Sequence, residues 1–456
     1  MNTKRFTRRD FLKGASAGAA SLAMAACIPA DTAAPASDMP AAEGVTLRFM
    51  SRPHSQLAQE VFPDIINDNF TANTDPTISV NVETAASGWA DKLVTSMIAG
   101  DSVDIFQAWP DIFYVWVAKD LILDIQPYVD RDLTQADLDD FIEAQWTRLR
   151  IRGIRVGMPK YIDVRCMAYN KDIFDEYGVA YPSNFGADWD WQEFTAMAEA
   201  LTQDKDGDGA IDLWGSRIIA TSSAEFFGWL RAFGGDYVNP DDDTDCWLDE
   251  PTSQEAMNWV YENMWVKEPN PFIRPEDASG TYDDFISGRV AIPWFNVRPA
   301  QQAEQVGQEI NWDYAHVPSG PVRRNALGDA DAWSIWKGSS HPDEAWQFIN
   351  FLAGPVFQEL GTLRSEGSLP IRKSLMGKAV EVYREEFPAV AGQHLEIIPE
   401  MMEMGYLENV IWFKDNAAAF ELIKPAMERI FNLGDADPSL MIEVCAEVEA
   451  YQASLE

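Results

Sequence analysis

From Val45 the chain alternates apolar and polar positions through Val45-Thr-Leu-Arg-Phe-Met50, the two-residue period of a half-buried strand. A helical pattern follows from about Gln56 to Phe70. Thr77 to Val82 alternates again. Trp89 to Ala99 returns to helical spacing, with Leu93, Met97 and Ile98 on one side and Gly100 as a stop. Val103 to Gln107 reads as a third strand and runs straight into Trp109-Pro110. Strand, helix, strand, helix at these intervals predicts a parallel sheet of βαβ units.

Further on, a helix-like segment spans Gln135 to Arg150, and two strand-like stretches, Val156 to Tyr161 and Val164 to Tyr169, follow it. Helix–strand alternation resumes over residues 216–233, 252–267 and 280–293, and Asp331 to Trp336 is a strand. Ser340 is placed to cap the next helix, where Ala345, Phe348, Ile349 and Leu352 recur at helical spacing. Two long helical patterns close the chain, about 417–432 and 438–455; in the second, Leu440, Val444, Val448, Tyr451 and Leu455 line one face. The 412 residues from Val45 to Glu456 suffice for two domains, yet no linker-like stretch divides them. Lobes that share strands account for that.

The first residues are of another kind. Thr7-Arg-Arg-Asp-Phe-Leu-Lys13 puts paired arginines ahead of an uncharged small-residue run, Gly14 to Ala26, and Cys27 follows. A basic start, a short apolar region and small residues at a cut site describe an export signal, too short and too poor in large apolar residues to span a bilayer, which takes about 20. The arginine pair resembles the twin-arginine class. Met24-Ala-Ala-Cys27 resembles a lipoprotein cut site, although Met24 stands where a branched aliphatic residue is usual. Lipidation of Cys27 and simple cleavage after an Ala-x-Ala-like site both fit. Residues 28–44, rich in Ala, Pro, Asp, Ser and Thr, read as a flexible tether whose use is to an anchored chain.

Charge narrows the partners. The net charge is −38, and −42 once residues 1–26 are removed, with 30 basic against 72 acidic residues. Such a field repels nucleic acid and anionic lipid, so contact with the membrane falls to the lipid anchor alone. Cys166, Cys246 and Cys445 lie far apart without metal-ligand spacing, which leaves buried thiols or one disulfide.

Pro159, followed by Ala168-Tyr-Asn-Lys-Asp-Ile-Phe-Asp-Glu-Tyr-Gly178, resembles a motif of family 1 extracellular solute-binding proteins, the maltose-binding-like sugar receptors of ATP-binding-cassette (ABC) importers. Five further stretches resemble that family in its own order. They are Trp89 to Phe106, Leu201 to Gly215, Gly288 to Ile292, Trp333 to Leu352, and Gly367 to Ser374. The resemblance implies an α/β, two-lobed periplasmic-binding-protein fold, type II-like, with lobes joined by crossing hinge strands and a helix-rich C-terminus. Mapped here, residues 45–161 plus about 293–337 form the first lobe, and about 162–292 plus 338–456 the second. It further implies a monomeric, exported receptor, periplasmic or at the cell surface, that binds a sugar between its lobes, needs no cofactor, and delivers its cargo to permease subunits.

A sugar ring offers one apolar face to an indole and a rim of hydroxyls to charged donors and acceptors. Seventeen tryptophans make such faces plentiful. Trp109, Trp229, Trp294 and Trp333 sit at strand ends and are the candidate platforms, each with core packing as its alternative. Asp111, Asp163, Asp329 and Asp331 are candidate acceptors, Arg52 and Arg298 candidate donors, and Tyr161 joins them between its two strands. Trp191, Trp259 and Trp346 read as core or helix-surface residues. Asp204, Asp206, Asp208 and Asp212 fall at positions 1, 3, 5 and 9 of a calcium-loop pattern, but Gly215 stands at position 12 where a bidentate Glu belongs. An Asx/Gly turn is favoured over a weak structural calcium site. No nucleophile, phosphate-loop or zinc motif is present, and the four histidines have no partner at catalytic spacing. The chain is therefore expected to be no enzyme, with a secreted glycoside hydrolase the alternative of another class and a polyamine or other small-solute receptor the alternative within the same one. An amine site should lack arginine, so Arg52 and Arg298 discriminate.

Overall fold

A computed structural model describes residues 44–85, 88–162, 164–221, 223–326, 331–404 and 412–455. The export segment, Cys27, tether residues 28–43, Asp163, Asp329 and the Asp111 side chain lie outside the described residues.

The first sheet follows the predicted alternation. Strands β1 (Val45–Ser51), β2 (Ile78–Thr84) and β3 (Ile105–Ala108) pair in parallel with β1 in the middle. Two short strands, β4 (Arg150–Ile151) and β5 (Ile154–Arg155), make a hairpin ahead of β6 (Met158–Pro159). Successive side chains point to opposite faces, so each strand feeds two cores. Leu47, Phe49, Ile78 and Ile105 pack with the helices Gln56–Ile66 and Pro342–Leu352. Met50, Phe106 and Ala108 pack with Leu93, Met97, Phe113 and Trp116 from the helices Trp89–Ala99 and Pro110–Ala118. Gly100 ends the first of these in a left-handed conformation (φ 78°), as a stop there requires.

The second sheet is built from β7 (Arg165–Asn170), β8 (Trp214–Arg217), β11 (Val290–Asn296) and β12 (Trp312–Ala315) in the order β12-β7-β11-β8. Between them in sequence, β9 (Val238–Asn239) and β10 (Asp242–Cys246) form a separate hairpin. Every residue of β7 is buried, as are all but the last of β11, because helices cover both faces. The last strand, β13 (Ala332–Ile335), returns to the first sheet antiparallel to both β3 and β6, which completes the order β2-β1-β3-β13-β6.

The chain thus passes between the sheets three times: at residues 160–164, between β12 and β13, and through residues 358–379. The boundaries read from sequence are corrected accordingly. Residues 294–296 pair with β7, and so does β12, which places 293–315 on the second sheet. The return begins at β13, and the helix Pro342–Leu352 goes with it, because a helix buries its apolar stripe on the sheet its preceding strand has joined.

Three local readings change as well. Residues 135–150 are two short helices, Gln135–Asp139 and Glu143–Thr147, rather than one. Ser340 caps nothing; His341 is the N-cap residue, and its N–H donates to Ser339 Oγ at 3.1 Å. In the helix Leu440–Ala453 the buried positions are Met441, Val444, Cys445, Val448 and Gln452, a stripe that keeps Val444 and Val448 of the expected face and replaces Leu440 and Tyr451 with Met441, Cys445 and Gln452. Cys445, on that stripe, forms a disulfide with Cys246 across 199 residues, while Cys166 is a buried thiol. Among the described residues no helix is long and apolar enough to cross a membrane.

Replacing Cys246 and Cys445 by Ser should lower the unfolding free energy by about 2–5 kcal/mol, the usual loss for a bridge closing a long loop. Denaturant titration of the oxidised chain against the double variant reads this directly.

Candidate functional site

The carboxyl ends of β1 and β3 and the amino end of β13 meet on one edge of the first sheet, where open α/β folds place ligands. Arg52 follows β1. Its guanidinium lies 4.3 Å from the centre of the Trp109 ring and 4.9 Å from that of Trp89, and its Nη1 is 3.5 Å from Asp331 Oδ2. The two indoles meet edge to face at 5.3 Å. Trp109 is held there by chain geometry: it is the N-cap residue of a helix whose first position is Pro110.

Behind this pair runs a buried polar network. Gln107 Oε1 accepts from the Arg52 backbone N–H at 2.9 Å and from Lys160 Nζ at 3.0 Å, while its Nε2 donates to Asp331. Lys160 Nζ also donates to Glu366 Oε1 at 2.7 Å, and both side chains are fully buried. Burial lowers the Lys160 pKa and raises that of Glu366, each opposed by the charge of the other. Next to them the His54 ring meets Tyr161 edge to face at 4.9 Å, and Arg298 of the second lobe reaches within 5.8 Å of the same Tyr161 ring. Burial, then Arg298, Lys160 and Arg52, hold His54 well below its ordinary pKa, so it is neutral at pH 7.

Of the residues singled out from sequence, the structure brings Arg52, Trp109, Asp331, Tyr161 and Arg298 into this region. Trp229, Trp294 and Trp333 are elsewhere. Trp333 is fully buried on the far face of β13 and packs edge to face on Phe357. Trp229 and Trp294 lie 5.0 Å apart in a second-lobe aromatic core with Phe194 and Trp259. The indole Nε1 of Trp294 has no hydrogen-bond partner among the described residues. Trp191, Trp259 and Trp346 are packed in cores as expected. Sequence reasoning missed Trp89, Gln107, Lys160 and Glu366 as a group; all four read as ordinary helix, strand or loop positions until the fold gathers them.

The acidic loop is a turn. Asp204 accepts from the N–H groups of Gly207 and Gly209 at 2.7 and 2.9 Å, which hold its carboxyl below the ordinary range, and Asp212 accepts from Lys205 N–H at 2.7 Å. Asp204, Asp206 and Asp208 are exposed, with carboxylate oxygens within 4.8 Å of one another. Gly215 explains the missing twelfth ligand. A Cβ there would lie 2.1 Å from the Ala198 carbonyl oxygen, so β8 lies against the helix Trp191–Leu201 with no room for Glu.

This edge-of-sheet arrangement, shared by two lobes with three crossings, accords with the sequence profile of the bacterial extracellular solute-binding proteins, which matches residues 54–359. The chain belongs to that family. A binding protein of Brucella abortus (strain 2308) is 24% identical over 308 residues, 66% of this chain and 70% of its own. The maltotriose-binding protein of Pyrococcus abyssi is 23% identical over 341 residues, 69% of this chain and 66% of its own. Among solved structures, the ABC substrate-binding protein of Listeria monocytogenes in complex with cycloalternan superposes with a TM-score of 0.73 at 22% identity, covering 90% of this chain and 98% of that one.

In a solute-binding protein the crossings serve as hinges, and here one network joins all three. Lys160 belongs to the first crossing, Asp331 ends the second and Glu366 lies in the third; Lys160 N–H further donates to the Asp331 carbonyl at 2.9 Å. Lys160→Met should cost about 3–5 kcal/mol by stranding Glu366, and Lys160→Met/Glu366→Met should recover most of it. Urea unfolding of the two variants makes the comparison. Because the folded-state pKa of His54 is depressed, the unfolded chain binds more protons at acid pH, so this solute-binding protein should lose stability as pH falls below about 6.5. Melting temperatures from pH 7.5 to 5 should fall less steeply for His54→Gln.

Proposed function

We propose that this solute-binding protein captures a sugar or oligosaccharide between its lobes and delivers it to the permease of an ABC importer. One observation carries the reading: Arg52 stands against the indoles of Trp89 and Trp109 and is paired with Asp331 on the ligand-binding edge of the sheet. Indole faces suit the apolar side of a sugar ring, and the guanidinium and carboxylate suit its hydroxyls. A cation already beside the aromatic rings disfavours an amine cargo, which would seek those faces itself. The names of the Pyrococcus and Listeria relatives, with maltotriose and cycloalternan, support an oligosaccharide. Ligand that touches both lobes favours their closed arrangement, which the permease would read. Export through the paired arginines and lipid attachment at Cys27 belong to the same reading, since a tethered receptor stays close to its permease. The role is capture, with no bond broken.

Titration with maltotriose and related oligosaccharides tests it. Ligand at about 100 times its dissociation constant should stabilise the protein by about 2.7 kcal/mol, seen as a rise in melting temperature. Trp109→Ala should weaken binding about tenfold or more, as expected when a stacking face is lost. The sugar should return intact from the incubation. A shift with polyamines alone, or the appearance of cleaved sugar, would overturn the proposal.

A further inference from the structure

A cavity of about 490 Å³, none of whose walls belongs to the Arg52 site, opens on the seam between the lobes. The first lobe lines it with Tyr114 and Lys119 from the end of the helix Pro110–Ala118 and with Arg152 from the β4–β5 turn. The second lobe contributes Lys414, Asp415 and Asn416 at the start of the helix Asn416–Met427.

Its charge runs against the rest of the molecule. The chain carries 73 acidic residues against 35 basic ones, yet here three cations converge, and none of them forms an ion pair with a carboxylate among the described residues. The one acid in the wall is already engaged: Asp415 Oδ1 accepts from Ala418 N–H at 3.1 Å and Oδ2 from the Tyr451 hydroxyl at 3.1 Å. Around Tyr114 the other charges are Arg148 and, opposing them, the exposed Asp243 of β10. The amino end of a twelve-residue helix adds its own positive potential.

Two further observations point to a ligand. Asn416 is 8% exposed, lines the cavity, and its Oδ1 has no hydrogen-bond partner among the described residues. That oxygen is closed off from solvent, so the Asn416 amide has to turn toward the cavity to meet a donor that enters. Arg152, moreover, occupies the first position of a two-residue turn with φ 49°, followed by Gly153 at φ 86°. Turns of this hand favour Asn-Gly, so an arginine there is held against its local preference, and its Nη2 reaches across the seam to the Lys414 carbonyl.

We propose that this cavity binds a small hydroxylated anion, a phosphate or the carboxylate of a sugar acid, and that the bound anion bridges the two lobes. Lys119, Arg152 and Lys414 supply donors to the anionic oxygens, and Asn416 Oδ1, once its amide has turned, accepts from a hydroxyl. A group that contacts both lobes binds their closed arrangement more tightly than the open one, so it strengthens capture in the main cleft.

Inorganic phosphate, titrated into the full chain against chloride at matched ionic strength, is the first probe, and glucuronate the second. Neither requires a sugar in the main cleft, so this test stands whether or not the carbohydrate reading does. Arg152→Asn and Lys414→Gln are the variants. Asn suits the left-handed turn, so Arg152→Asn should melt no lower than the parent without anion, and a loss of binding cannot then be a loss of fold. The expected result is a rise in melting temperature beyond that with chloride, and a dissociation constant about tenfold weaker in each variant. A response to phosphate assigns the site to a free anion, which should also tighten binding of a neutral oligosaccharide. A response to glucuronate alone assigns it to an acid group carried by the sugar. No response to either probe beyond chloride, or a response that survives in both variants, overturns the proposal.

Discussion

The structure turns on one buried ion pair. Lys160 and Glu366 are both removed from water, and their 2.7 Å contact is tolerable only because Gln107 and the Arg52 carbonyl take up further Nζ donors. Each partner belongs to a different passage between the lobes, and Asp331, on the remaining passage, is tied in through Gln107. A hydrophobic contact at the same place would tolerate sliding. An ion pair with directed hydrogen bonds has one good geometry, so the three passages are held together at a defined point.

That constraint also shapes the site in front of it. Gln107 and Asp331 position Arg52 from behind, and Trp89 and Trp109 hold its guanidinium from the sides. Burial, aided by the positive groups around it, keeps His54 neutral, which avoids one more buried charge. The proposed recognition surface is therefore braced where it joins the network between the lobes. Specificity for a ligand comes cheaply to a surface that does not have to be ordered on binding.

Much of the fold was legible along the chain. The first three strands with their helices, the two closing helices and the absence of a linker all follow from period and composition. The resemblance rests instead on six motif stretches, five of them within residues 54–359, which the family profile covers, and the sixth, Gly367 to Ser374, beyond it. What escaped depends on long-range pairing. Nothing local says that β12 joins β7 rather than the first sheet, and the domain boundaries moved with that ladder. Trp109 and Trp333 both stand at strand ends; one starts a helix at the sheet edge and the other points into a core, a difference set by one step of strand alternation. Lys160 and Glu366 lie 206 residues apart, beyond any pattern of spacing. Gly215 was visible as a departure from a calcium loop, but only the closeness of Ala198 gives its cause.

The three passages between the lobes bear on how such a receptor changes cargo over evolutionary time. Neither lobe is one continuous stretch of sequence, since the first sheet draws on residues 45–159 and again on 332–335. A single recombination event cannot exchange an intact lobe for that of a cousin; it would leave strands of one parent paired with ladders of the other. New specificities in this architecture must arise by substitution at the walls of the cleft, residue by residue, while the shared hinge is inherited whole.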